Sequence, residues 1–242
     1  MVNSLGTSVA AGLQSLDEEE QRYWKKHVHV GNLYINRGIT GAVVGRQPFG
    51  GMNGLASGGP NYVLQFMHIT DRPSADTDYR HSYSEWFGKE FRRARNLQPS
   101  IRGEQNVFRY LALKGGMALR LFGDETRQQV EMVVLAAKTV ATPLTISMDE
   151  QCPLLGQVHS AKVKVESLES FCQSMGTYQR IRTISTHVAP SVLQAAAQHG
   201  IGIVQEPPVS NGRIELTRYL EEQSIANEYH RYGSQIEVPV IE

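Results

Sequence analysis

The residues able to ligate a metal, attack a carbonyl or shuttle a proton are few in this chain, and they are scattered. It has eight histidines and two cysteines, and His27-x-His29 is the one close histidine pair. A structural zinc takes four protein ligands and a catalytic one three, so a pair with no third ligand nearby points to no metal site. Neither Cys152 nor Cys172 has a histidine beside it, and Cys172 sits among Phe171 and Met175, which gives it the character of a small core side chain. No catalytic residue and no metal ligand is therefore expected here. Two cysteines are also too few for a disulfide framework, which fits a reducing, cytoplasmic setting.

Phosphate-binding chemistry is equally thin. The turn after the strand predicted to end at Phe122 offers only Gly123-Asp124, and an acid at that helix start would repel a pyrophosphate. Gly200-x-Gly202 follows a helix instead of opening one, so capping is its expected role. No cofactor is expected on this chain. Two other stretches stand out. Seven glycines fall between residues 38 and 60 (41, 45, 50, 51, 54, 58 and 59), where the backbone is expected to visit conformations closed to other residues. Near the end, Tyr229, His230, Arg231 and Tyr232, followed by Gly233, combine stacking faces with hydrogen-bond donors, as a docking peptide would.

These segments need elements to hold them. Ser15 followed by Glu18 reads as a capping box for a helix over Leu16–Lys26. A strand is predicted over Val30–Asn36 and another over Tyr62–Met67, with an Asn53-Gly54 turn between them. A polar connector over Thr70–Asp78 leads to a helix over His81–Asn96, whose Arg92, Arg93 and Arg95 form a solvated face. From Gly116 the pattern becomes regular. Strands are predicted over Gly116–Phe122, Pro143–Met148, Ile181–Ser185 and Ile201–Val204. They alternate with helices over Thr126–Val140, Ser167–Met175 and a span from Pro190 to Gly200, and a last helix is predicted over Ile214–Ile225. That alternation specifies an α/β fold: a Rossmann-like, doubly wound, mainly parallel sheet, preceded by a small β-flap.

Composition narrows the partners. Lysine plus arginine equals aspartate plus glutamate, 24 against 24, so no net positive field gathers phosphates and nucleic acid is not expected as a partner. No apolar run approaches the roughly 18 residues that a membrane span needs.

The run Gly31-Asn32-Leu33-Tyr34-Ile35-Asn36-Arg37-Gly38-Ile39-Thr40-Gly41-Ala42-Val43-Val44-Gly45-Arg46-Gln47-Pro48-Phe49-Gly50-Gly51, with Gly58-Gly59-Pro60-Asn61-Tyr62 after it, resembles the C-terminal end of the aldehyde dehydrogenase superfamily. Within that superfamily it resembles the L-glutamate γ-semialdehyde (1-pyrroline-5-carboxylate) dehydrogenases. The rest of the chain resembles the extra C-terminal domain of the longer proline utilization A proteins, through Arg102–Tyr110, Ala141–Thr145, Glu222–Ile225 and Tyr229–Gly233. The resemblance implies that the backbone amides of Gly41 and Ala42 hold a substrate α-carboxylate. Consecutive N–H groups beside a small side chain suit that task. It also implies that Phe49 packs on the aliphatic part of the semialdehyde. In the family the catalytic cysteine and the NAD-binding domain precede this region, so the chain alone is expected to be inactive, with NAD belonging to the full enzyme. Only Met52–Ser57 separate Phe49-Gly50-Gly51 from Gly58-Gly59-Pro60, where the family carries a longer loop.

The expected organisation is a dehydrogenase segment with its β-flap over residues 1–69 and an accessory α/β domain with a docking tail over 70–242. The expected role is structural: assembly, or sealing the path between active sites. Its partner would be the rest of the dehydrogenase polypeptide, or a second copy through the β-flap. Two other readings stay open, a self-standing α/β protein that binds a small anion or nucleotide, and a pure oligomerisation module.

Overall fold

The computed structural model describes residues 2–5, 9–43, 46–52, 78–97, 101–158 and 162–230. The strand expected over 62–67, the Asn53-Gly54 turn, the 69/70 boundary and all of the 70–78 connector except Asp78 lie outside these residues. The chain divides into two compact units. The first draws on residues 1–62, 93–111 and 221–242, and the second on 63–92 and 112–220. The units are interleaved in sequence: segments expected in the accessory domain pack with the N-terminal region.

The first unit is built on a mixed sheet with strand order β1 (Ala10–Leu13), β2 (Asn32–Ile35), β10 (Leu220–Glu228), β4 (Glu104–Ala112) and β3 (Arg95–Asn96). β2 runs parallel to both β1 and β10, while β3 is antiparallel to β4. Helix α1 (Glu18–His27) begins two residues later than expected, because Asp17 and not Ser15 is its N-cap: the Asp17 carboxylate accepts from the N–H groups of Glu19 and Glu20. Ser15 instead donates to Glu20 at 2.5 Å and accepts from the Asp17 N–H. Three acids in the first turn and three basic residues in the last complement the helix dipole. Val28, Val30, Leu33, Ile35, Val107 and Ile225 form this unit's core, with Trp24 of α1 packed on it.

β10 overturns the helix expected over Ile214–Ile225. Only Gly212–Glu215 is α-helical, a 3₁₀ turn follows over Leu216–Tyr219, and the chain then becomes extended. Glu221, Glu222 and Gln223 are good helix formers, but this segment lies between β2 and β4 and gains a ladder on both sides. Central pairing outweighs intrinsic preference, which amounts to at most about 0.7 kcal/mol per ordinary residue. The helix expected over His81–Asn96 is similarly shortened. It runs as α2 (Tyr79–Trp86), widens into a π-helical turn at Phe87–Phe91, and gives way to β3. Arg92, Arg93 and Arg95 are exposed, as expected, but Arg95 lies on a strand and not on a helix, with its guanidinium over the rings of Phe108 and Tyr110, 5.3 and 5.9 Å from their centres.

The second unit carries a wholly parallel five-stranded sheet ordered β7 (Lys162–Val165), β6 (Leu144–Met148), β5 (Met117–Arg120), β8 (Arg180–Thr183) and β9 (Gly202–Val204). Counted from its own first strand, the order is 3-2-1-4-5, and the direction of travel reverses between β5 and β8. Right-handed crossovers then put α3 (Arg127–Thr139) on one face and α4 (Leu168–Ser174) with α5 (Pro190–His199) on the other. Phe171, Val192, Ala195 and Ala196 pack with Ala118 and Ile181, as that rule requires. The fold is the expected doubly wound α/β sheet. α3 opens with a capping box between Thr126 and Gln129; α5 starts on Pro190 and ends on Gly200 with φ of 65°, as read from sequence. Edge strand β7 escaped that reading, although its Lys-Val-Lys-Val alternation suits an edge guarded by charge.

An ionic cluster is sealed inside this unit. Glu215, with no exposed surface, accepts from Arg182 at 2.8 Å, Arg218 at 2.7 Å and the Tyr219 hydroxyl at 2.7 Å. Tyr83 donates to the Val209 carbonyl at 2.7 Å, and the Val209 N–H donates back to Glu215 at 3.1 Å. Removing the carboxylate would leave two buried guanidiniums without their counter-charge. Glu215→Ala should therefore destabilise this unit by about 3–5 kcal/mol in chemical denaturation. Burial, reinforced by Glu215, pushes the Tyr83 phenol far above its ordinary range, and burial likewise raises Tyr219. An unfolded tyrosine ionises near pH 10, so this contribution is complete below that pH and is lost as pH rises above it. Alkaline unfolding should begin above about pH 10, with tyrosinate absorbance rising in step with loss of structure rather than ahead of it.

Candidate functional site

The glycine-rich segment after β2 is a loop tied down at both ends. At its start, Arg37 lies 5.5 Å from the centre of the Tyr34 ring and 3.5 Å from the Glu104 carboxylate of β4. Near its end, the Gln47 amide donates to Glu104 at 2.9 Å and to Asn106 at 3.2 Å, while its oxygen accepts the Val43 N–H at 2.9 Å. Asn32 of β2 then holds Gly50, its amide donating to the Gly50 carbonyl at 2.7 Å. The apex between these ties is open. Gly41 is exposed with φ of 77°, and Ala42 is half-buried. Among the described residues nothing accepts the N–H of either. Phe49, 47% exposed, turns much of its ring to solvent instead of a core. The loop thus presents two amide donors without a partner among the described residues, and an aromatic face lies exposed farther along the same segment.

The motif around β4 is a junction. Arg109 donates to the side chain of Gln223 at 2.8 Å and to the Lys25 carbonyl at 2.5 Å. Gln223 is fully buried and donates in turn to the carbonyls of Val28 and Val30, at 3.2 and 2.8 Å. Two stretches that stand apart in sequence, Arg102–Tyr110 and Glu222–Ile225, are therefore joined by a side-chain pair as well as by the pairing of β4 with β10. Arg109, Gln223, Gln47, Glu104 and Asn106 were not singled out individually from the sequence. Their signal is polarity at positions of a β-rich segment where a buried face is expected.

The tail starts at the same junction. The Gly103 carbonyl accepts the N–H groups of Tyr229 and His230, at 2.9 and 3.1 Å. Arg231, Tyr232 and Gly233 lie outside the described residues. Gly103 adopts φ of 88°, and a Cβ there would collide with the Cβ of His230. No other residue type satisfies both conditions. Gly103→Ala should therefore lower stability by about 1–3 kcal/mol and speed amide exchange at Tyr229 and His230, which hydrogen-exchange mass spectrometry would resolve.

In the parallel-sheet unit, the place where a Rossmann sheet takes a pyrophosphate is the turn from its first strand into its first helix. Here that turn follows β5, and Glu125 occupies it: its carboxylate accepts the N–H of Phe122 at 2.9 Å and of Gly123 at 2.8 Å. The neighbouring Asp124 accepts from the Thr186 N–H and hydroxyl beyond β8, at 3.0 and 2.8 Å. Desolvation works against its ionisation, but hydrogen bonds from Ser185 and Thr186 prevail and hold its carboxyl below the usual range. The loop's anion-binding donors are thus taken by the protein's own carboxylates. A cleft of about 630 Å³ opens beyond the carboxyl ends of β5, β6 and β7, and the acids on its wall are Asp149, Glu150 and Glu166. The buried Arg120 beneath is held by Asp149 at 2.6 Å, Ser147 at 2.9 Å and the Glu166 carbonyl at 3.0 Å. Among the described residues no group of three or more His, Cys, Asp or Glu is placed to hold a metal ion, and no helix is long and apolar enough to cross a membrane.

No family model matches the sequence. Curated relatives described as 1-pyrroline-5-carboxylate dehydrogenase, from Bacillus thuringiensis (strain Al Hakam) and Bacillus anthracis (strain CDC 684 / NRRL 3495) among others, are 46% identical over 57 residues. That match takes in 22% of this chain and 11% of each relative. Among solved structures, Proline Utilization A from Corynebacterium freiburgense is similar over 94% of this chain and 24% of its own, with 30% identity and a TM-score of 0.68. The chain thus spans about a quarter of that protein and about a tenth of the curated relatives. It carries a region similar to part of the 1-pyrroline-5-carboxylate dehydrogenases, and nearly all of it resembles part of a proline utilization A protein.

Proposed function

We propose that this chain acts as the C-terminal part of a proline-catabolic dehydrogenase, one that in its full form oxidises L-glutamate γ-semialdehyde to glutamate with NAD. The observation that carries this reading is the likeness to Proline Utilization A, which extends across 94% of the chain at 30% identity and so includes the parallel-sheet unit as well as the dehydrogenase-like segment. In this reading the apex amides of Gly41 and Ala42 hold the α-carboxylate shared by substrate and product, and Phe49 faces the aliphatic stem. Both donors stand without a partner among the described residues, as a carboxylate seat requires.

The chain contributes no nucleophile of its own to that chemistry. Oxidation of an aldehyde by this route needs an activated thiolate. Burial pushes the Cys172 thiol up, away from the thiolate form, and Cys152 is buried. NAD belongs to the rest of the enzyme, because Glu125 fills the one turn in the parallel-sheet unit where a pyrophosphate would sit. The role of that unit is assembly, or sealing the path between active sites, with the remainder of the dehydrogenase polypeptide or a second copy as its partner. The tail from Tyr229 onward is the docking element, and its start is fixed on Gly103.

Thermal unfolding of the chain with NAD, with L-glutamate and with neither tests these assignments. A ligand at 100 times its Kd adds about 2.7 kcal/mol to stability, a shift of several degrees. Glutamate should raise Tm saturably and NAD should leave it unchanged, with no NADH formed from the semialdehyde. A saturable NAD shift would reject the assignment of the parallel-sheet unit, and indifference to glutamate would reject the carboxylate seat.

A further inference from the structure

The apex amides of Gly41 and Ala42 can hold a carboxylate only if their backbone is fixed before the ligand arrives, because ordering a loop on binding consumes affinity. The apex has no regular structure of its own, so something outside it must do the fixing. The nearest tie is Gln47. Its N–H donates to the Val43 carbonyl at 2.9 Å and its side-chain oxygen accepts the Val43 N–H at 2.9 Å, so Gln47 is doubly tied to the residue directly after Ala42. Both sides of Val43's backbone are thereby used, and the peptide plane joining Ala42 to Val43 is held. Gln47 is anchored in turn, because its amide donates into β4 at Glu104 and Asn106. Gln47 itself is 5% exposed, which keeps water from competing for these bonds.

Glu104 is the unexpected member, because a carboxylate near an anion seat opposes the anion. Its Oε1 is surrounded by donors: Gln47 at 2.9 Å, Asn106 at 2.7 Å and the Arg37 guanidinium at 3.5 Å. The side chains of Arg37 and Glu104 are only 14% and 18% exposed, so solvent screens the pair weakly. Arg37 offsets the charge while the two amides orient it. The carboxylate is thereby turned from a repulsive group into the fixed acceptor on which the loop is hung.

We propose that Gln47 and Glu104 are positioning residues of the carboxylate seat, holding the Gly41–Ala42 amides in the binding geometry without touching the ligand. This rests on the reading of Gly41 and Ala42 as that seat. Asn106 supports Glu104 from the same strand, and Arg37 balances its charge. The arrangement confers selectivity for the carboxylate end of the ligand and leaves its chain length to Phe49.

The test is an amide NMR titration of the full chain with L-glutamate, followed at Gly41 and Ala42, beside hydrogen exchange at Val43. The variants are Gln47→Met, Glu104→Ala and Glu104→Gln. Losing one hydrogen bond is worth about a factor of ten. Gln47→Met removes three side-chain hydrogen bonds and should thus speed Val43 exchange and weaken glutamate by about tenfold or more each, in a chain that still unfolds cooperatively. Glu104→Ala should weaken glutamate similarly. Glu104→Gln keeps the acceptor oxygen and should bind at least as tightly as the parent. A parent chain that binds glutamate at Gly41 and Ala42, together with a Gln47→Met variant of equal affinity, overturns the positioning role and leaves the seat standing. Equal loss in Glu104→Gln and Glu104→Ala also overturns it, since the ion pair with Arg37 would then be what matters. A parent chain whose Gly41 and Ala42 amides do not respond to glutamate overturns the seat, and the positioning role with it.

Discussion

The first unit depends on the wholly buried amide of Gln223. A primary amide with no access to water must satisfy its donors and its acceptor inside the protein or cost several kcal/mol. Gln223 does so by donating to the Val28 and Val30 carbonyls and accepting from Arg109. Those partners belong to the α1–β2 connection and to β4, so one side chain on β10 fixes the relation of three segments far apart in sequence. Arg109 extends the tie to the Lys25 carbonyl near the end of α1. Once β4 is fixed in this way, Gly103 and Glu104 at its start are fixed as well. The first holds the tail and the second holds the glycine-rich loop. The sheet therefore organises both candidate functional segments through two adjacent residues.

The parallel-sheet unit shows the opposite use of acidic side chains. At Glu215 a carboxylate compensates two buried guanidiniums and receives a tyrosine hydroxyl, which makes it a structural counter-ion. At Glu125 a carboxylate takes the place of a ligand, capping the N–H groups that an open nucleotide fold would keep for phosphate. Both acids satisfy donors that would otherwise be orphaned. Only the second does so at the turn where a dinucleotide-binding fold takes its pyrophosphate. A Rossmann-like topology by itself is thus silent on nucleotide binding.

Much of the parallel-sheet unit was legible in the sequence because its signals are local. Pro190 and Gly200 bracket α5, apolar residues recur at helical spacing from Val130 to Ala137, and short apolar strands alternate with these helices. The first unit was legible only in part, because its sheet is made of non-local pairings. β2 could be read from its own residues, whereas β10 could not: Leu220–Glu228 is a strand only because β2 and β4 lie on either side of it. The cap of α1 shows the same limit on a smaller scale. Ser15 and Asp17 are both good N-cap residues two positions apart, and the choice between them follows from Ser15 being drawn to Glu20 and to the Asn36 side chain. For the candidate site, Gly41, Ala42 and Phe49 were found through a resemblance, while Gln47 and Glu104 became visible only when residues 57 positions apart in sequence were seen to share a hydrogen bond.

That separation also explains why the loop's support lies on β4 and not on its own strand. A loop of glycines has maximal freedom when unfolded, so closing it is costly. Local hydrogen bonds alone would order it weakly, because each is worth about 1 kcal/mol net. Hanging it on a strand that is already held by Arg109, Gln223 and the sheet lets the ordering cost be met in the folding of the whole unit. The apex can then leave the amides of Gly41 and Ala42 without a partner among the described residues. Backbone donors left open in this way are affordable only at an exposed position, where water can serve them. Gly41 at the surface, with Gln47 buried six residues later, meets both conditions within one turn of chain.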